Sequence, residues 1–211
     1  SIGRIAPRVN ASADAAAVLD HAAAPYQPPG DGPLHLLVIG GSQGARRLSD
    51  AVPAAVAALP QELRARLQVS HQARAEDADR VTRAYADAGI KAEVQPFFTD
   101  VPERMARAQL VVSRAGASSL ADLTVIGRPA ILIPYPSAAG NHQSANARAL
   151  AESGAAVLLP ESVLDTESLT RDLRAILTDG QRASTMAQAA LSLGRPDAAA
   201  RLHDLVTELS P

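Results

Sequence analysis

The stretch LHLLVIGGSQG, residues 34–44, decides the fold class. It joins an apolar run of strand length to a glycine-rich turn. Leu48, Val52, Val56 and Leu59 then recur at helical spacing, which predicts a helix directly after the turn. A buried strand that turns into a helix in this way is typical of a parallel sheet in an α/β protein.

The same alternation of strand and helix continues along the chain. Five further apolar runs each precede a helix-like stretch: RLQVSHQ, KAEVQPF, AQLVVSR, RPAILIPYP and GAAVLLP. We therefore expect an α/β fold, a doubly wound, parallel, six-stranded Rossmann-like sheet with helices on both faces. After LDTESLTRDLRAIL, the helical stretches QRASTMAQAALSL and PDAAARLHDLVTEL follow without a strand, and they predict extra C-terminal helices outside the sheet.

Composition divides the chain into three parts. Residues 1–33 hold an Ala-rich stretch that can form a short helix and the breaker YQPPGDGP, which indicates a linker segment. Residues 34–195 are the predicted Rossmann-like domain, and residues 196–211 are a C-terminal helix. Within the domain, Asp100 and Glu103 have the spacing of a capping box and predict a helix start at VPERMARA.

Bulk properties exclude several classes of function. The net charge of -2 lacks the basic field of a nucleic-acid binder, and the absence of cysteine excludes disulfides and thiolate metal sites. No run approaches the ~18 apolar residues of a membrane span, so any membrane contact is expected to be peripheral and the cytoplasm is the default location. Asp77 and Asp79 superficially resemble a metal-binding acid pair, but they stand at the polar start of a helix and favour dipole complementation.

In a doubly wound sheet, ligands bind where strands end and helices begin, and the first such loop runs from Gly40 to Gly44. Glycines let backbone N–H groups approach a phosphate, although a tight turn without a ligand is an equal alternative. The loop is not a dinucleotide fingerprint, because G-x-G-x-x-G is absent and the second strand ends in His71 and Gln72. It is not a P-loop either, because no Gly-Lys-Ser/Thr follows.

Two further loops have polar residues at helix starts. Ser118 and Ser119 can bind an anion, and Asp122 lies one turn further on the same side of the helix, where it could bind a ribose diol. Plain N-capping is the alternative for these serines. After PYPSAAG, the side chains of Asn141, His142 and Gln143 could contact uracil, ribose or sugar hydroxyls, and a capped, solvated helix start is the alternative there.

The order and spacing of several motifs resemble the C-terminal half of MurG-type glycosyltransferases from about Leu34 to the end. These motifs are GGSQGAR, FFTDVPERMARAQLVVSRAGASSLADL, GRPAILIPYP and NHQSANARALAESGAA. The resemblance implies the donor half of a GT-B enzyme that binds UDP-N-acetylglucosamine for inverting transfer to a lipid-linked peptidoglycan precursor. It implies neither a metal nor a cofactor.

The resemblance also implies the residues of the donor site. Ser42 would contact the donor phosphates with Gln43 and Gly44, and Phe98 would lie at the uracil edge. Gln143 would reach the sugar hydroxyls beside His142. The segment beneath the diphosphate and ribose would be Ala117, Ser118, Ser119, Leu120, Ala121 and Asp122.

The sequence departs from the family in three places. Asp122 replaces the usual Glu, which predicts a weaker or water-bridged ribose contact, and Arg8 is an uncertain counterpart of the hinge arginine. The acceptor-binding domain has no counterpart, so a missing N-terminal domain or a separate subunit is expected to bind the lipid-linked acceptor. No catalytic residue is therefore expected in this chain. His71 and His142 are expected to be surface or ligand-contacting histidines rather than the general base.

Two other functions remain open at this point. One is a half-chain UDP-sugar-binding subunit or a non-catalytic nucleotide-sugar-binding module. The other is a UDP-sugar epimerase, which would need a cluster of carboxylates or histidines facing the sugar.

Overall fold

The computed structural model describes residues 11–41, 46–136 and 142–195. Six strands form one sheet in the order β3-β2-β1-β4-β5-β6, and every neighbouring pair is parallel. The predicted doubly wound, six-stranded sheet is thus confirmed. The strands are β1 (Leu34–Ile39), β2 (Leu67–Gln72), β3 (Lys91–Gln95), β4 (Leu110–Ser113), β5 (Ala130–Leu132) and β6 (Ala156–Leu158).

Helices cover both faces of the sheet. They are α1 (Ala11–Asp20), α2 (Arg46–Ala57), α3 (Gln61–Arg64), α4 (Ala75–Asp87), α5 (Val101–Arg107), α6 (Ala117–Ile126), α7 (His142–Glu152), α8 (Thr166–Leu177) and α9 (Gly180–Leu193). A short 3-10 helix, Glu161–Val163, follows β6. Within the described ranges, no helix is long and apolar enough to cross a membrane.

The core has two layers because alternate side chains of a strand point to opposite faces. Leu36 and Val38 of β1 pack against α2, α4 and α8, whereas Leu37 and Ile39 pack against α5, α6 and α7. Burial of β1 on both faces explains its nearly continuous apolar sequence.

The segment before β1 packs against the domain. Helix α1 lies in the predicted Ala-rich stretch, and Val18 is buried in the core with α5 and α6. The fully buried Arg128 donates hydrogen bonds to carbonyls at the ends of α5 and α6 and to the carbonyl of Ala24 at 3.1 Å. Residues 18–26 are therefore held against the same core as the helices, and the three-part division of the chain stays a prediction.

One predicted local motif is wrong. Asp100 is the N-cap of α5, as expected, but its side chain makes no capping hydrogen bond. Its Oδ1 accepts from Arg104 Nε at 2.7 Å instead, because a charged donor one turn away forms the stronger bond. Helix α8 has a genuine capping box, formed by Asp165 and Ser168.

The extra C-terminal helices are partly described. Helices α8 and α9 occupy the stretches predicted for them; α8 packs against α2, and α9 packs against α6. The predicted helix in residues 196–211 lies outside the described residues.

Candidate functional site

An open cleft of about 690 Å³ lies at the carboxyl end of the sheet. Parallel strands place all their carboxyl ends at one edge, so loops that are distant in sequence meet there. The described lining comes from the loops after five strands and from the helices that follow them. It consists of Gly40, Gly41, Arg46, Arg47, Asp50, Arg74, Arg114, Gly116, Ser118, Ser119, Tyr135, Gln143 and Glu161.

The start of α6 contributes uncapped backbone donors. Gly116 is the N-cap and, having no side chain, leaves the first turn without a side-chain cap. Ser118 is exposed and Ser119 is half-buried, and both line the cleft. Since the first N–H groups of a helix have no intrahelical partner, this helix start can bind an anion.

The start of α2 carries two cations and no acidic residue in its first turn. Arg46 is exposed in the cleft, and Arg47 donates through Nη2 to the carbonyl of Leu164 at 2.7 Å. Cations at the positive end of a helix dipole cost roughly 0.3–1 kcal/mol each. An anion in the cleft would offset this cost.

Arg114 lines the cleft and was not among the predicted site residues. It follows β4 directly, is only 7% exposed, and donates to the carbonyls of Ile133 at 3.0 Å and Pro134 at 3.2 Å. Its guanidinium also forms an ion pair with Glu161 and lies 5.4 Å from the ring centre of Tyr135. A charged residue directly after a fully buried strand, LVVS, was the signal for it in the sequence.

The cleft also contains Gln143, from the third of the predicted loops. Its Oε1 accepts from the backbone N–H of Tyr135 at 3.0 Å, which ties the start of α7 to the end of β5. Its Nε2 forms no hydrogen bond with the described residues and remains a donor for a ligand. His142 is exposed and lies outside the described lining.

Other predicted residues are not part of the described lining. Asp122 is half-buried one turn along α6, and Ala117 and Ala121 are exposed; none of the three belongs to the described lining. The side chain of Leu120 packs in the core beneath α6, so only its backbone could contact a ligand. The predicted residues Arg8, Ser42, Gln43 and Gly44 lie outside the described residues.

The side chain of Phe98 is buried rather than exposed to the cleft. Its side chain is 3% exposed, and the guanidinium carbon of Arg104 lies 4.1 Å from its ring centre. Arg104 is itself bound to Glu93 at 2.6 Å and to Ser70 at 2.9 Å. Phe98 is absent from the described lining, and its neighbour Phe97 is 48% exposed.

The expectation that His71 is a surface or ligand-contacting histidine is wrong. His71 is fully buried in β2, and its Nδ1 lies 2.8 Å from the hydroxyl of Tyr85. Burial, with a smaller contribution from the charge of Arg80, lowers the pKa of His71 to about 3. The alternating pattern of β2 places this side chain on the α4 face, in the core.

Asp77 belongs to an ion-pair network that borders the cleft. It is buried in the first turn of α4, where its carboxylate lies 2.7 Å from Arg74 and 2.9 Å from Arg80. Hydrogen bonds from Arg80 and Arg74 lower the pKa of Asp77. The sequence pattern predicted helix-dipole complementation here, whereas the fold adds the two arginine partners.

Comparison with known proteins places this geometry in context. The sequence model described as the glycosyltransferase family 28 C-terminal domain matches residues 35–202. The chain is 50% identical over 181 residues to the UDP-N-acetylglucosamine–N-acetylmuramyl-(pentapeptide) pyrophosphoryl-undecaprenol N-acetylglucosamine transferase of Paramagnetospirillum magneticum; the match covers 86% of this chain and 49% of that protein. It is 48% identical over 195 residues to the protein of the same name from Allorhizobium ampelinum, with coverage of 92% and 52%.

A solved structure has a similar fold. Acinetobacter baumannii MurG superposes with a TM-score of 0.75 and 30% identity, over 88% of this chain and 55% of that one. The chain thus spans about half the length of the curated relatives it matches. The predicted resemblance to the C-terminal half of MurG-type glycosyltransferases is confirmed. Because the family match covers most of its length, the chain belongs to the glycosyltransferase family 28 C-terminal domain family.

Proposed function

We propose that this chain is the donor-binding half of a MurG-type N-acetylglucosaminyltransferase. In this proposal it binds UDP-N-acetylglucosamine in the cleft at the carboxyl end of the sheet. A separate acceptor-binding half presents the lipid-linked muramyl-pentapeptide precursor, at the cytoplasmic face of the inner membrane. The proposal extends to this chain the activity named for its relatives, of which it spans about half.

The observation that carries the proposal is the positive charge of the cleft. Its described lining holds Arg46, Arg47, Arg74 and Arg114 against the carboxylates of Asp50 and Glu161. The uncapped start of α6 adds further positive potential. A nucleotide diphosphate matches this combination of fixed cations and backbone donors.

The chemistry of transfer makes a positive cleft useful. An acceptor hydroxyl attacks the anomeric carbon, the bond from that carbon to the diphosphate oxygen breaks, and UDP leaves while the hydroxyl proton passes to a general base. Negative charge grows on the diphosphate as this bond breaks, and donors already oriented toward it stabilise the transition state. The backbone N–H groups at the uncapped start of α6 are suited to this role, because the helix holds them in place.

The general base is expected from the acceptor-binding half. Among the described lining residues, the carboxylates are Asp50 and Glu161, and both are engaged in ion pairs. His71 is buried away from the cleft. The epimerase alternative is disfavoured by the same observation, because it needs titratable groups that face the sugar carbons.

The remaining assignments follow the family resemblance. Gln143 would bind the sugar hydroxyls, and Asp122 would bind the ribose. The segments that hold Ser42 and Arg8 would complete the phosphate site. The backbone at the turn that contains Phe98 would contact the edge of the uracil, because Arg104 covers the Phe98 ring.

Calorimetric titration with UDP-N-acetylglucosamine, UDP-glucose and UDP tests the proposal. Ser118 is exposed in the first turn of α6, so Ser118→Trp places an indole over the helix start. We expect this substitution to raise the Kd for UDP-N-acetylglucosamine at least about tenfold, or roughly 1.4 kcal/mol.

Ser192→Trp is the matched control, because Ser192 is an exposed serine near the end of α9 and outside the described lining. Its Kd should equal that of the unmodified chain. Equal binding by the Ser118→Trp variant and this control would contradict donor binding at the start of α6. Absence of binding by the unmodified chain would contradict its proposed function as a donor-binding half.

A further inference from the structure

Asp50 lies in the cleft among arginines, one turn into α2. Its Oδ2 is 3.9 Å from Nε of Arg46, and its Oδ1 is 2.7 Å from Nη2 of Arg80. The proposed ligand is an anion, so a carboxylate at this position opposes binding. It repels the ligand directly and competes with it for Arg46.

The fold does not need this carboxylate. Arg80 has a second partner in the buried Asp77, at 2.9 Å, and the Asp50–Arg80 pair is partly exposed on both sides. Exposed ion pairs contribute little to stability. The other carboxylate of the described lining, Glu161, differs because it neutralises the buried Arg114.

The nucleotide-sugar substrate and the free UDP product differ in charge. A nucleotide sugar carries two ester phosphates and a charge of about -2. Free UDP has a terminal phosphate whose second pKa is about 6, so its charge is about -3 near pH 7. Coulomb repulsion grows with the product of the charges, so one fixed carboxylate repels the product about 1.5 times as strongly as the substrate.

We propose that Asp50 is a specificity-determining residue of the cleft, which weakens the binding of free nucleoside diphosphate more than that of the nucleotide sugar. The inference rests on the proposed function. Asp50 thereby favours exchange of the spent diphosphate for a new donor.

Asp50→Asn tests this inference, because it removes the charge and keeps the shape. We expect the Kd for UDP-N-acetylglucosamine to fall about threefold and the Kd for UDP to fall about fivefold at low salt, with slower dissociation of UDP in stopped-flow measurements. In about 0.5 M NaCl the difference between variant and unmodified chain should shrink, because salt screens the charges. Asp50→Ser should shift both Kd values in the same direction.

Asp87→Asn and Asp50→Glu are the controls. Asp87 is exposed at the far end of α4, so its substitution makes the same change in net charge outside the described lining, and Asp50→Glu keeps the charge in place. Both should keep the ratio of the two Kd values of the unmodified chain. An unchanged ratio in both Asp50→Asn and Asp50→Ser would overturn the inference alone, whereas no nucleotide binding by the unmodified chain would overturn the proposed function as well.

Discussion

Arg114 and His71 are both buried near the carboxyl ends of the strands, and their partners make them behave differently. Arg114 has the carboxylate of Glu161 and two backbone carbonyls, so its positive charge is matched inside the protein. The hydrogen-bond partner of His71 is the hydroxyl of Tyr85, and its Nε2 has no partner among the described residues. Burial therefore favours the neutral imidazole and lowers the pKa of His71 to about 3.

The lowered pKa of His71 makes stability depend on pH. Between pH 6.5 and about pH 3 the unfolded chain binds a proton at His71 that the folded chain does not. The free energy of unfolding should thus fall by up to about 1.4 kcal/mol per pH unit as the pH drops through this window, and the contribution should be constant above it.

His71→Gln removes the titration and keeps a hydrogen-bonding group for Tyr85. Urea unfolding of both proteins at pH 4, 5, 6 and 7 measures the effect. The free energy of unfolding of the unmodified chain minus that of the variant should fall as the pH falls, because other titrating groups cancel. A difference that stays constant from pH 7 to pH 4 would rule out a neutral, buried His71.

At the scale of secondary-structure elements, side chains at the helix ends connect each helix to its neighbours. The sequence pattern predicted a capping box at Asp100, but Arg104 takes the carboxylate and holds the start of α5 to β2 and β3 through Ser70 and Glu93. The ends of α5 and α6 converge on Arg128. Their last carbonyls lack intrahelical partners, and a buried guanidinium satisfies several of them at once.

Arg128→Met should release the segment that precedes β1. The guanidinium donates to Ala24, Pro25 and both helix ends, so its loss leaves several buried carbonyls without a donor. We expect a loss of about 3 kcal/mol in the free energy of unfolding and faster hydrogen exchange of residues 16–26.

Mass-spectrometric hydrogen exchange and urea unfolding measure these two effects. Arg83→Met is the control, because Arg83 is exposed on α4 and donates to a carbonyl of its own helix at 3.3 Å. Exchange of residues 16–26 at the rate of the unmodified chain would show that Arg128 does not hold this segment.

At the scale of the whole molecule, charge is distributed unevenly. The chain has a net charge of -2, yet four arginines and two carboxylates line the described part of the cleft. Net charge predicts no polyanionic partner, but it could not reveal a positive cleft for a small anion. Local potential depends on which side chains the fold brings together.

The proposed function, with donor and acceptor bound by separate halves, predicts the activity of the chain alone. It should bind UDP-N-acetylglucosamine and yet transfer no sugar to a lipid-linked muramyl-pentapeptide, since the general base is expected from the acceptor-binding half. Adding that half of a relative should restore transfer, measured as radiolabelled sugar in the lipid fraction. Transfer by the chain alone would place a general base within these 211 residues.

The sequence by itself determined the six strands, their parallel arrangement and the edge of the sheet at which the cleft lies. These features depend on local apolar runs and on the topology they impose. Ser118, Ser119 and Gln143 lie at that edge, and their roles in ligand binding stay predictions. Only the tertiary structure decided that Arg114 pairs with Glu161, that Asp50 lies among the arginines, and that His71 belongs to the core. Burial and pairing of polar groups depend on neighbours from distant parts of the chain, so a local sequence pattern cannot predict them.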